Sequence, residues 1–268
     1  YLTIQASGVI KWQQTYGGVQ KTLNTNRVFR DTSAWYNIII AVDSTQSTEA
    51  NRSRLYVNGV EETSFSSATY PSQNAEAQNV YEQHHYIGEW GGGQSGWCGY
   101  IANPTFISDA QITPSDVGEF DSDTGIWKPK EYTGTISSPS YFLEFKDSSD
   151  LGNATSGLNV STLNNIAAAD QSTDTPTNNF CTMNQNSRTN GNIKTQEGGT
   201  KVTTDGGAGW VSMNATMGVQ AGKWYWEILF YNDPGDTNTV MIGIAASDDP
   251  WIPHASGGYY LGNVATGG

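Results

Sequence analysis

The sequence predicts an all-β protein built of antiparallel sheets, and three observations carry that prediction. Asn58-Gly59 lies between two apolar, β-branched stretches. This dipeptide is the strongest short-range hairpin signal, because both central positions of the favoured turn need positive φ. Charged residues make up only 15% of the chain, while Gly numbers 30, aromatic residues reach 12% and Trp numbers 9. That is the profile of a turn-rich protein whose cores lean on aromatic rings. Helical periodicity is nearly absent, and short runs of alternating character recur between polar turns.

Taken in order, residues 1–6 read as a strand, with Ser7-Gly8 as the turn into a second strand at 9–13. Residues 35–43, 54–61, 85–88 and 99–107 follow as strands, separated by polar turns such as 43–48 and 64–69. Thr113-Pro114 opens one helical turn, since Pro at the first helical position and Asp116 in the first turn are both favoured. Residues 141–145 alternate with period two and are expected to add a strand to a sandwich. Beyond residue 180, strands are expected at 201–204, 210–213, 223–230 and 240–246. Tyr1 already stands in a strand and residues 258–263 enter a new element, so the sequence reads as an interior piece of a longer polypeptide.

Thirteen Lys and Arg against 26 Asp and Glu give a formal net charge of −13. Such a chain is repelled by phosphate backbones and anionic membranes, so no nucleic-acid partner is expected. No apolar stretch approaches the ~20 residues of a membrane span, and no basic-then-apolar leader is present, so no membrane insertion is expected. Cys98 and Cys181 make neither a disulfide framework nor a ligand cluster. They are read as free, partly buried thiols, with a bridge between them left open.

The succession of a Trp-bearing strand (Trp35), the hairpin Leu55-Tyr56-Val57-Asn58-Gly59, Tyr86-Ile87-Gly88 and Gly99-Tyr100-Ile101-Ala102 resembles the laminin-G-like, concanavalin A-like sandwich. Residues 118–134 are similar to a linker of tail-fibre and other structural proteins of marine tailed bacteriophages, and so are residues 174–180, which in those proteins lead into a SPRY-like sandwich. Residues 222–227 followed by 242–245 resemble the early strands of SPRY domains. The resemblance implies a concanavalin A-like jelly roll over 1–108 with its opening strands missing, an ordered connector over 109–179, and a partial SPRY-like sandwich over 180–268. It implies a virion protein of an extracellular particle, a tail fibre or appendage. Its partners would be other virion proteins or copies of itself, together with a host-surface glycan or protein receptor.

Each group that invites chemistry also has a plainer role. Glu119, Asp121 and Asp123 invite an enzyme reading, because glycosidases of the concanavalin A-like class place two carboxylates about 5 Å apart on one strand. Asp123 stands where Glu is expected, and Gly118 and Gly125 bracket a turn-like segment with no strand around it, so a solvated acidic turn is preferred and no catalytic residue is expected. His84-His85 would face opposite sides of a strand and lack a third ligand. Asp43, with Glu49 and Asn51 nearby, offers oxygen ligands to Ca²⁺, as an acidic loop also does to water. Asn51, Asn153, Asn159 and Asn214 match the glycosylation pattern, which in a phage product would be coincidence.

Exposed aromatics suit sugar binding, because an apolar sugar face stacks on a ring while amides and carboxylates read the hydroxyls. Glu89, Trp90, Gln94 and Trp97 are expected in one loop of the first sandwich, and Trp251, His254 and Tyr259 in a similar cluster of the second. The plainer role for any one of these rings is to cap a core. No Ser/His/Asp constellation and no phosphate loop is present. The expected function is therefore non-enzymatic assembly and host-surface attachment. The alternatives are a structural spacer or decoration protein, and a secreted carbohydrate-binding adhesin or glycoside hydrolase.

Overall fold

Two hairpin turns organise the first part of the chain. The computed structural model describes residues 1–77, 85–88, 97, 99–108, 110–160, 163, 166–188, 191–205, 211–231 and 240–244. Asn58 and Gly59 take φ of 49° and 77°, the two positive values that the hairpin reading requires. Gly17 and Gly18 do the same at 53° and 81°, turning β2 (Val9–Tyr16) into β3 (Val19–Val28), a strand that the sequence reading did not assign.

With β1 (Leu2–Ile4) on one side and β7 (Phe65–Ala68) on the other, these strands form an antiparallel sheet in the order β1-β2-β3-β7. A second antiparallel sheet has the order β4-β5-β6, from β4 (Ile38–Val42), β5 (Ser53–Val57) and β6 (Val60–Glu62). Strand accounts for 30% of the described residues and helix for 7%, which makes the protein all-β.

The two sheets share one core, giving a sandwich-like first unit. Ile10, Trp12, Tyr16, Leu23 and Phe29 come from the first sheet and its continuation, and Leu55 and Val57 from the second. Alternation explains which residues enter: Ser53, Leu55 and Val57 lie on one face of β5 and are buried, while Arg54 and Tyr56 lie on the other. The register of β2 and β3 shifts between Val9 and Lys11. The buried Thr25 hydroxyl repairs the ladder there, accepting from the Ile10 amide at 3.0 Å and donating to the Arg27 carbonyl at 2.8 Å.

The segment after residue 108 is packed onto this unit. β8 (Thr105–Phe106) pairs with β11 (Tyr141–Phe142), which pairs in turn with β12 (Ser156–Gly157). The strand expected at 141–145 is thus present but short: Phe145, at φ 55°, has left the extended region. The helical turn is α1 (Pro114–Val117), where the Thr113 amide and hydroxyl both donate to Asp116 Oδ2 at 2.7 Å.

The segment around Gly118 is corrected. It is no bare turn, because β9 (Gly118–Phe120) pairs antiparallel with β10 (Trp127–Pro129). Trp127 decides this arrangement, since its ring lies against Gly118 and Gly59 so closely that a Cβ at either position would fall inside the ring's van der Waals envelope.

The chain divides into two units, Tyr1–Phe180 and Cys181–Gly268. In the second, β13 (Ile193–Gln196) pairs antiparallel with β14 (Lys201–Thr204), the latter as expected from the sequence. Several expected strands are corrected. Residues 85–88, 99–104, 211–213, 223–230 and 240–244 carry no strand. A strand exists only where a neighbour completes its ladder, and none does so for these residues among those described. Residues 210, 245 and 246 lie outside the described residues. Cys181 is free and exposed, where a partly buried thiol was expected; Cys98 lies outside the described residues.

Candidate functional site

Glycine geometry builds an aromatic surface at the Trp97 end of the first unit. Gly88 holds φ 83°, and the Trp97 amide donates to its carbonyl at 2.6 Å. A side chain begun at Gly88 would lie 4.0 Å from Trp97 Cβ and 3.8 Å from Ile101 Cδ1. Gly99, at φ 159°, leaves room for the indole, since a Cβ there would stand 3.0 Å from Trp97 Nε1. Gly88 thus holds the Trp97 backbone and Gly99 makes room for its ring, and the residue remains 43% exposed. Tyr86 and Ile101 are exposed as well.

Next to Trp97 in sequence, Tyr100 stacks on Trp35 with ring centroids 6.0 Å apart and planes inclined by 27°. Both rings are half-buried. This pair joins the segment leading into β4 to the loop of Trp97, and the sequence reading missed it by assigning Tyr100 to a strand. The visible signal was the closeness of Tyr100 to the glycine-flanked Trp97. His85 packs edge-on against Phe106 at 4.9 Å and Tyr141 at 6.0 Å. Its ring thereby abuts the β8–β11 pairing.

Of the residues expected to bind a ligand, Trp97 is on this surface. Glu89, Trp90, Gln94, Trp251, His254 and Tyr259 lie outside the described residues, as does His84. Chemically, a fixed and exposed indole offers a stacking platform for the apolar face of a sugar or for an aromatic side chain.

Asp43 serves its own loop. Its Oδ1 accepts from the Thr45 amide at 3.0 Å and hydroxyl at 2.7 Å, and its Oδ2 accepts from Gln46 Nε2 at 2.6 Å. The Gln46 and Thr45 bonds hold the carboxyl below the usual carboxylate range. Asn51, its expected companion, accepts from Arg54 instead, at 2.6 Å. Among the described residues no group of three or more His, Cys, Asp or Glu is placed to hold a metal ion.

Asp121 closes the β9–β10 hairpin. Its Oδ1 accepts from the Thr124 amide at 2.8 Å and hydroxyl at 2.7 Å, and its Oδ2 pairs with Lys128. The Lys128 contact and the Thr124 bonds hold the carboxyl far below its ordinary value. A carboxylate so fixed in its charged form is poorly suited to general-acid chemistry near neutral pH. In comparisons with known proteins, no family model, curated protein or solved structure matches the chain.

Proposed function

We propose that the chain is a non-enzymatic structural protein of a tailed-bacteriophage virion, a tail fibre or similar appendage, that contributes to assembly and to attachment at a host-surface glycan or protein. The viral part of this reading rests on the resemblance of residues 118–134 and 174–180 described above. The observation that carries the attachment part is the exposed Trp97 ring, its backbone bonded to Gly88 and its indole given room by Gly99. A hydrophobic ring held in water costs solvation free energy unless a ligand covers it, and rigid aromatics lose little entropy on binding.

Two measurements test it. Peptide mapping of purified particles is expected to recover this sequence together with capsid proteins, and its absence from particles sinks the virion assignment. Binding of the purified chain to an array of cell-surface glycans and proteins is expected to fall about tenfold or more in Trp97→Ala, the cost of losing one aromatic anchor. Particles that contain the chain and surface binding that ignores Trp97 would instead make it a spacer or decoration protein.

A further inference from the structure

An edge strand presents unpaired backbone groups to any passing chain, and proteins blunt such edges by short length, charge, proline or a bulge. Three of the four edges of the two sandwich sheets are blunted in this way. β1 is three residues long, β7 joins β3 through a register shift, and β6 is three residues long and carries Glu61 and Glu62. β4 has none of these protections. Its five residues, Ile38-Ile39-Ile40-Ala41-Val42, hold no charge and no proline, and they pair with β5 in unbroken register. Among the described residues, β5 is the one strand that pairs with it.

The ladder shows which backbone groups are left over. The Asn58 amide donates to the Asn37 carbonyl at 2.9 Å and the Asp43 amide to the Arg52 carbonyl at 3.0 Å. Because bonded pairs alternate along an antiparallel ladder, residues 37, 39, 41 and 43 turn their backbone groups toward β5. The N–H and C=O groups of Ile38, Ile40 and Val42 therefore point away from it, along the open edge. The side chains of the same three residues share a face with Leu55 and Val57, and Ile38 and Ile40 pack against the core. Neither isoleucine is fully buried, and Val42 is 39% exposed. The sheet thus ends with its last apolar row incompletely covered.

This edge is complementary to itself. Antiparallel pairing of two copies about a two-fold axis at Ile40 sets Ile40 opposite Ile40 of the second copy, and Ile38 opposite its Val42. Those are the residues with backbone groups left over, so each facing pair exchanges two hydrogen bonds. Charge agrees with the same register. The chain carries a net charge of −13, so two copies repel unless their contact keeps carboxylates apart. Asp43, the nearest charge to the strand, falls opposite Asn37, and no carboxylate faces another along the pairing.

We propose that β4 is the site at which two copies of this chain associate, edge to edge, so that their β4-β5-β6 sheets join into one continuous antiparallel sheet. A two-fold contact uses the same edge on both copies, so it closes at a dimer and leaves no β4 edge to continue growth. The inference deepens the assembly reading by naming a surface and its partner, and it rests on that reading for its biological meaning. None of the β4 residues belongs to the Trp97 surface.

The test is the mass of the full chain by size-exclusion chromatography with light scattering over a range of concentrations. It is expected to rise from that of one chain to a plateau at two. Val42→Lys, at an exposed position, blunts the edge in both copies and is expected to weaken the dimer about tenfold or more, with the melting temperature of the dilute chain unchanged. A chain that stays monomeric, a mass that climbs past two, or a dimer indifferent to Val42→Lys overturns the proposal. Disulfide trapping reads the register and serves if Val42→Lys fails to fold, with linked peptides mapped so that Cys98 and Cys181 are told apart. Bonded facing residues have Cα atoms about 5.5 Å apart, within disulfide reach, so Ile40→Cys is expected to cross-link two chains under mild oxidation. Ile38→Cys is expected not to, because its counterpart lies roughly 14 Å along the strand. Cross-linking at position 38 in place of position 40 overturns the pairing. A monomeric chain that is still recovered from particles and still binds through Trp97 would overturn the β4 contact alone, and a β4 dimer absent from particles would overturn the virion reading alone.

Discussion

Leu55 and Leu229 are the same residue with opposite surroundings: the first is 0% exposed in the core of the first unit, the second 94% exposed in the second unit. Both stand in apolar runs that read as strands. Leu55 is paired on both sides, by β4 and β6, and covered by a facing sheet. Residues 223–231 carry no strand, and Trp224, Tyr225, Trp226, Ile228, Leu229, Phe230 and Tyr231 are all exposed. Among the described residues of the second unit, Ile193 is the buried large apolar side chain. The contrast teaches that an alternating apolar run is only half of a strand; the ladder and the facing layer supply the rest.

The largest effect expected from this contrast is on stability. Leu55→Ala should cost about 2–5 kcal/mol in denaturant unfolding, through lost transfer free energy and the cavity left behind. Leu229→Ala should stay within about 0.5 kcal/mol, as for an exposed site. A cost at Leu229 comparable to that at Leu55 would break the comparison, since it would show a layer packed on that run.

Next comes the packing of the β9–β10 hairpin. Gly118→Ala should cost about 1–3 kcal/mol, as overpacking does, because the new methyl meets the Trp127 ring. Trp127→Ala in the same chain should make the Gly118→Ala increment disappear, a non-additivity that a double-mutant cycle reads directly. Additive costs would mean that the ring does not rest on Gly118.

The smaller effects depend on pH. Burial pushes the Tyr16 hydroxyl up to about 12, and that hydroxyl finds no hydrogen-bond partner. A raised folded value means stability is fully present below the ordinary Tyr value near 10 and declines as pH rises from there to about 12. Tyr16→Phe should remove that decline in alkaline melting curves while leaving the neutral-pH melting point nearly unchanged. A decline that persists in the Phe variant points to other groups, and Tyr141, also raised by burial, is the next to replace.

At the acid end the sign is opposite. Asp43 and Asp116 are held below their ordinary values by loop hydrogen bonds, so their contribution is present above about pH 4 and lost as pH falls below it. Asp116→Asn should shallow the acid limb of the melting-temperature profile by a small amount. An unchanged limb would mean that the Thr113 bonds are equally strong in water.

Local chemistry was legible. The Asn58-Gly59 turn, the first and second strands, the helical turn at Thr113-Pro114 and the strand at 201–204 were read from windows of a few residues and stand in the structure. Of the candidate site, Trp97 was legible because glycines flank it. The Tyr100–Trp35 stack was not, because its partners are 65 residues apart. The Gly118 hairpin was missed because its strands are held by Trp127, and nothing in the residues 118–120 themselves announces that ring.

By itself, the sequence determined the class of the protein: all-β, antiparallel, acidic and rich in aromatic rings, with its tight turns placed where φ must be positive. Only the tertiary structure decided that Thr105–Phe106 pairs with Tyr141–Phe142, that β4 stands at the edge of its sheet, and that Leu55 is covered while Leu229 is exposed. The physical reason is range. Turn and alternation signals act through the φ/ψ preferences and side-chain directions of neighbouring residues, whereas pairing, burial and unpaired polar atoms depend on contacts between segments that no single window of sequence contains.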